Sequence, residues 1–309
     1  MNSIKPTLIP SEIPALFVNF DPVETWRKAS QIVQSINPNI DLTIVRNVFD
    51  DVICMFNGSY PGYSPIKTPY HDLRHTLDVL MCSVRMMHGV HLSDTRINDE
   101  EIKLTMVAAL LHDVGYAQQF DEANGSGAQF TQVHVSRGID FMAIHLKNWL
   151  IPANWESPLR QIISCTDLRV NLSNINFNSP RIKLLGQILG SADIVGQMAD
   201  RTYLEKLLFL YSEFKEAHYG NCENTYDLLK KSRAFYDSIR NTLDTELGSK
   251  YQRLSYHFKD WIGEDRNFYI ESIEHNIQYL EKVITLNESE WFSMLKRHGI
   301  VQRYEELIK

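Results

Sequence analysis

Two apolar stretches that contain ionisable groups restrict how this chain can fold. Ala108-Ala109-Leu110-Leu111-His112-Asp113 has the composition of a buried helix, yet it stops on an imidazole and a carboxylate. Gly190-Ser191-Ala192-Asp193-Ile194 sets a second carboxylate inside another apolar run. A carboxylate taken out of water needs a counter-charge or a metal ion, so these segments must converge on a partner. A third stretch, Tyr70-His71-Asp72-Leu73-Arg74-His75-Thr76-Leu77-Asp78-Val79, supplies candidates. Thr68 reads as an N-cap and Pro69 as a first helical residue, predicting a helix from there to about Met87. On such a helix His71 and His75 share a face, with Asp78 on nearly the same side.

The remaining patterns are helical. Stripes at spacings of three and four predict helices over Glu24 to Ile36 and Leu42 to Phe56, and another through Val135, Ile139, Met142, Leu146 and Trp149. Asn98 followed by Glu101 makes a capping box for a helix through Leu111 that ends near Gly115. At such an end His112 and Asp113, about 100° apart on a regular helix, can turn to one site as the helix unwinds. Further helices are predicted at Pro158 to Thr166, Pro180 to Asp200 and Thr202 to Ala217, and three or four more after Gly220, including the stripe Tyr269, Ile273, Ile277, Leu280, Ile284. No alternating strand and no repeat is found, so the expected fold class is all-α. The expected organisation is a proline-bearing extended arm over residues 1–23, a helical core over 24–217 and a helical extension over 218–309 packed on that core.

At 309 residues and 44 % hydrophobic content the chain can bury a sizeable core. Its formal charge of −7, from 31 basic and 38 acidic residues, offers no footprint for duplex nucleic acid or an anionic membrane. A phosphate substrate would have to be met by metal and local dipoles. Cys54, Cys82, Cys165 and Cys222 form no Cys-x-x-Cys pair, which argues against a zinc ribbon or a disulfide framework and suits a reducing cytosol. No run approaches bilayer-spanning length, and residues 1–19 lack a signal-peptide pattern.

The ordered combination of His75, His112-Asp113 and Asp193 resembles the HD superfamily of metal-dependent phosphohydrolases. The resemblance is closest to the cyclic-nucleotide phosphodiesterase type, whose first motif, Tyr-His-Asn-x-x-His-x-x-Asp-Val, is matched by Tyr70, His71, His75, Asp78 and Val79. Thr166-Asp167 looks like the family's later Thr-Asp element. It implies an HD-type helical bundle holding two divalent ions, of Zn, Mn, Mg or Fe. His75, His112, Asp113 and Asp193 would bind the first, with Asp113 bridging to the second, and a bridging water would attack phosphorus. It also implies that His71 is the general acid for the leaving alkoxide and that Asp78 orients His75. His134 and Asp167 stand where such proteins place either further ligands or contacts to metal-bound water. Asp72 replaces the family's Asn, and no late Gln occurs in the Gln-x-Gly-Phe context that would clamp a purine.

The expected function is hydrolysis of a phosphodiester or phosphomonoester of a nucleotide-like small molecule. Arg74, Arg137, Arg160 and Arg169 are candidate phosphate contacts, although arginines of this kind are more often structurally paired. The alternatives are an HD-type di-iron oxygenase, which requires His134 and Asp167 as ligands of the second metal, and a non-catalytic nucleotide-binding regulatory module. The C-terminal helices could cover the site, form a homodimer or bind an effector.

Overall fold

A computed structural model of the chain describes residues 21–93, 95–122, 124–287 and 290–307. The predicted N-terminal arm lies, up to residue 20, outside the described residues. Asp21 caps α1 (Pro22–Ile36), accepting from the Val23 amide at 2.7 Å, and Pro22 occupies the first helical turn with its φ already suited to it. α2 (Thr43–Asn57) stops at Gly58 in the left-handed conformation. A two-residue strand β1 (Tyr63–Ser64) pairs antiparallel with β2 (Gln118–Gln119), a ladder too short to leave an alternating pattern in the sequence.

The helices that carry the site follow. α3 (Leu73–Ser93) is buried without a break from His75 to Val90. α4 (Asp99–Leu111) begins with the predicted capping box, Asn98 and Glu101 each accepting the other's amide at 2.9 Å. It is buried continuously from Leu104 to Leu111, as expected of a helix apolar on all sides. α5 (His134–His145) is shorter than its apolar stripe. Trp149 reaches the core from the turn that follows, its indole donating to Asp51 at 2.7 Å.

α6 (Glu156–Ser164) leads to α7 (Pro180–Ala199), which is capped by Ser179. Then come α8 (Tyr203–Glu216), α9 (Thr225–Asp244), α10 (Leu254–Ile262), α11 (Phe268–Val283) and α12 (Ile300–Leu307). All twelve helices among the described residues contribute to an all-α bundle. α3 lies at its centre against α1, α4, α7 and α10, and α7 packs in turn on α4, α6 and α11. The segment beyond residue 217 shares this core, with Tyr269, Ile273, Ile277 and Leu280 of α11 all buried. No helix among the described residues is long and apolar enough to cross a membrane.

Two glycines set the spacing around the site. A Cβ on Gly115 would lie 1.8 Å from the His134 carbonyl oxygen, so only glycine lets the segment after α4 touch the start of α5. On Gly190 a Cβ would come within 2.5 Å of the Cys165 carbonyl oxygen, so glycine lets α7 approach the end of α6, where Thr166 and Asp167 follow. Gly115 thus acts by close approach and not as a left-handed cap, since its φ is not positive. Gly115→Ala is expected to cost about 1–3 kcal/mol, the usual penalty of overpacking, measured as a lowered urea midpoint at unchanged m-value.

Candidate metal centre

α3 starts later than the sequence predicts. Thr68 donates its hydroxyl to the His71 carbonyl at 2.7 Å and so closes a turn across Pro69 and Tyr70. Asp72 is the residue that caps the helix, accepting from the His75 amide at 2.9 Å. A carboxylate placed three residues before that amide competes successfully for the cap. His71 therefore precedes α3 and does not share a helical face with His75. The turn nevertheless leaves the two ring centroids 5.7 Å apart.

Three buried helices each bring one or two donors to a common point. His75 comes from the first turn of α3, His112 and Asp113 from the end of α4, and Asp193 from α7. The His75 and His112 Nε2 atoms are 3.2 Å apart. Asp113 Oδ2 lies 3.3 Å from the first and 3.2 Å from the second, while Asp193 Oδ1 lies 3.2 and 3.7 Å from them. A divalent ion with bonds of about 2.1 Å holds neighbouring donor atoms about 3.0–3.4 Å apart, close to this spacing.

The donor chemistry fits an ion as well. His112 Nδ1 donates to the Ala109 carbonyl at 2.8 Å, which turns an Nε2 lone pair toward the site. Asp113 Oδ2 is fully buried without a hydrogen-bond partner among the described residues, and the two imidazole nitrogens face it. Burial would raise the Asp113 carboxyl, but His112 and His75 outweigh it and hold it well below the usual range. Burial opposes charge on His75, yet Asp113 and Asp193 lift it to about 10. These opposed shifts show carboxylates and imidazoles stabilising one another's charge, the role a bound cation could take over from the imidazole protons. His75, His112 and Asp193 form a group able to hold a metal ion, with ligand atoms within 4.8 Å of one another.

The outlying candidates are placed differently. His134 donates Nδ1 to the Thr131 carbonyl at 2.8 Å and brings Nε2 to 3.5 Å from Asp113 Oδ1. Asp113 therefore faces histidines through both oxygens. Asp167 lines the same cavity, but its two oxygens are held by Arg169 at 2.8 and 2.7 Å. Asp78 makes no hydrogen bond to His75 among the described residues; its carboxylate lies 3.7 Å from the Arg74 guanidinium, and burial pushes its pKa up to about 7. Of the four candidate arginines only Arg169 lines the cavity. Arg74 pairs with Asp200, Arg137 with Glu122, and Arg160 with Glu156.

Glu213 of α8 is a site residue that the sequence reading missed. One of its carboxylate oxygens accepts from the Tyr70 amide at 2.6 Å, and the other lies 2.6 Å from His71 Nδ1. The carboxylate is buried, its side chain 1 % exposed. Burial works against a charged His71, but Glu213 outweighs it and raises the imidazole's pKa. The available signal was local: Glu213 has Phe209, Leu210, Glu216 and Ala217 as its helical neighbours, none of them a cation. Tyr116 stacks between His71 and His134, at ring distances of 4.9 and 4.6 Å.

His71, Asp113, Tyr116, His134, Asp167 and Asp193 line a cavity of about 480 Å³, whose far wall comes from α8 and α9. A divalent ion added to metal-stripped protein should raise its unfolding free energy by about 2.7 kcal/mol at a hundred times the dissociation constant. His112→Ala should abolish that increment, read from urea midpoints with and without the ion.

A family model described as Npun_R2479-like matches residues 119–276, about half of the chain. The match includes His134, Asp167, Asp193 and Glu213, and runs from β2 into α11. No curated protein matches the sequence. The chain belongs to the Npun_R2479-like family.

Proposed function

We propose that this protein is a metal-dependent phosphohydrolase of the HD type that cleaves a phosphodiester of a small molecule. The observation that carries this reading is the meeting of the His75 and His112 Nε2 atoms, each 3.2–3.7 Å from Asp193 Oδ1 and 3.2–3.3 Å from Asp113 Oδ2, beside a cavity lined by His71, Asp113, His134 and Asp193.

His75, His112, Asp113 and Asp193 would hold one divalent ion, and Asp113 Oδ1 with His134 would offer donors to a second. Bound there, such ions supply an activated water and neutralise charge on the phosphoryl oxygens. His71 is the proton donor. With Nδ1 engaged by Glu213, its protonated Nε2 is left to face the leaving oxygen. As the bond from hydroxide to phosphorus forms and the bond to the leaving alcohol breaks, that proton passes to the departing oxygen, giving a phosphomonoester and a neutral alcohol. Glu213 keeps the imidazole charged and oriented, and Tyr116 fixes its plane by stacking.

The oxygenase alternative needs His134 and Asp167 together as ligands. Asp167 engages Arg169 with both oxygens, which favours hydrolysis. Tightly held iron with O₂ consumption would reverse that preference.

Loaded with Mn²⁺ or Zn²⁺, the protein should hydrolyse a bis-aryl phosphodiester, and Asp113→Ala should lose both the metal and the turnover. Full activity in that variant would end the proposal. Glu213→Gln should lower kcat by up to about 100-fold. It should also move the alkaline limb of the pH–rate profile to lower pH. Glu213 raises the His71 pKa, so without it the acid form is lost earlier as pH rises.

A further inference from the structure

We propose that the ester group seated in this cavity is apolar, so that the substrate is a phosphate ester of an alkyl or aryl alcohol. The proposal rests on the phosphohydrolase reading and deepens it.

Three observations carry it. Beyond the ionisable floor, the wall is built from Ile194, Met198, Leu207, Leu210, Phe214 and Leu228. Apart from the tyrosines, of which Tyr116 has a buried hydroxyl with no hydrogen-bond partner among the described residues, the amide, hydroxyl and cationic side chains of the lining are already engaged within the protein. Gln197, the cavity's single amide among the described residues, accepts the Tyr70 hydroxyl at 2.5 Å and donates to the Asp193 carbonyl at 3.1 Å. Ser232 donates to the Leu228 carbonyl, Thr166 to that of Ile163 and Thr131 to that of Ala128. Lys231 is held by Asp227 and the Asn221 carbonyl, and Arg169 by Asp167. Tyrosine hydroxyls apart, a sugar or nucleobase entering this space would lose its water and find few partners, a penalty that excludes such groups strongly.

The third observation is at the surface. Leu168, Tyr219 and Phe235 line the cavity while remaining 51, 37 and 44 % exposed. Large apolar side chains at the edge of an apolar chamber extend its contact surface outward, past the cavity itself. A volume of about 480 Å³ accommodates a phosphoryl group together with a medium-length alkyl chain or an aryl group. A longer chain would continue along the exposed residues.

The test keeps the leaving group constant and varies the other ester group. The full chain, loaded with Mn²⁺, is assayed on p-nitrophenyl phosphodiesters carrying methyl, butyl, octyl or 5′-thymidyl groups. The expected result is a rise in kcat/KM of about three- to fourfold per buried methylene, with the octyl ester exceeding the thymidyl ester and Phe235→Asp flattening the series. A flat series, or preference for the thymidyl ester, overturns the inference and leaves the phosphohydrolase reading intact. Calorimetric titration with methyl- and octylphosphonate separates the two claims without turnover. Tighter binding of octylphosphonate, weakened by Phe235→Asp, with no ester hydrolysed, supports the apolar chamber and removes the hydrolase. Equal or absent binding of the two phosphonates overturns the chamber assignment.

Discussion

Asp113 is a carboxylate buried where the end of α4 meets α3, α5 and α7, and the site is arranged around its charge. One oxygen faces His75 and His112, and the other faces His134. Among the described residues no lysine or arginine pairs with it, so in the absence of an ion the compensation falls to imidazoles that burial itself discourages from charging. A buried charge of this kind is one that a bound cation would compensate. The close approaches at Gly115 and Gly190 follow from the same requirement, because they bring α5 and the end of α6 near enough for His134 and Asp167 to face the same cavity.

Much of this was legible in the sequence because it is local. The capping box at Asn98 and Glu101, the all-apolar α4 ending in His112-Asp113, and the carboxylate within the apolar run of α7 each follow from residues a few positions apart. Asp72 was local too, but Thr68-Pro69 gave a competing start signal, and the tertiary turn through His71 decided between them. The facing of His71 and His75 was thus expected for a helical reason and arises instead from a turn. Glu213 was hidden for a different cause. Its partners, Tyr70 and His71, are far away in sequence, and a glutamate on an amphipathic helix ordinarily reads as solvent-facing. Asp78 is local as well: helical spacing offers it both His75 and Arg74, and the Arg74 guanidinium lies 3.7 Å from its carboxylate.

The helices after residue 217 change the meaning of the site. Read as an extension, they could have been a cover, an interface or an effector module. In the fold α9 forms a wall of the cavity through Leu228, Lys231, Ser232 and Phe235, while α10 and α11 pack on the helices that carry His75 and Asp193. The chamber above the donors is therefore made jointly by the two segments, and its apolar character is a property of the whole chain. The donor residues and the apolar wall come from different elements, so either can change without the other.

The central claim is that His75, His112, Asp113 and Asp193 are the ligands of one ion. Anomalous diffraction from crystals of the full chain grown with Mn²⁺ tests it directly. The account predicts a peak about 2.0–2.3 Å from both Nε2 atoms and from the facing oxygens of the two aspartates. A peak elsewhere, or ordered donors with no peak between them at saturating Mn²⁺, would contradict it.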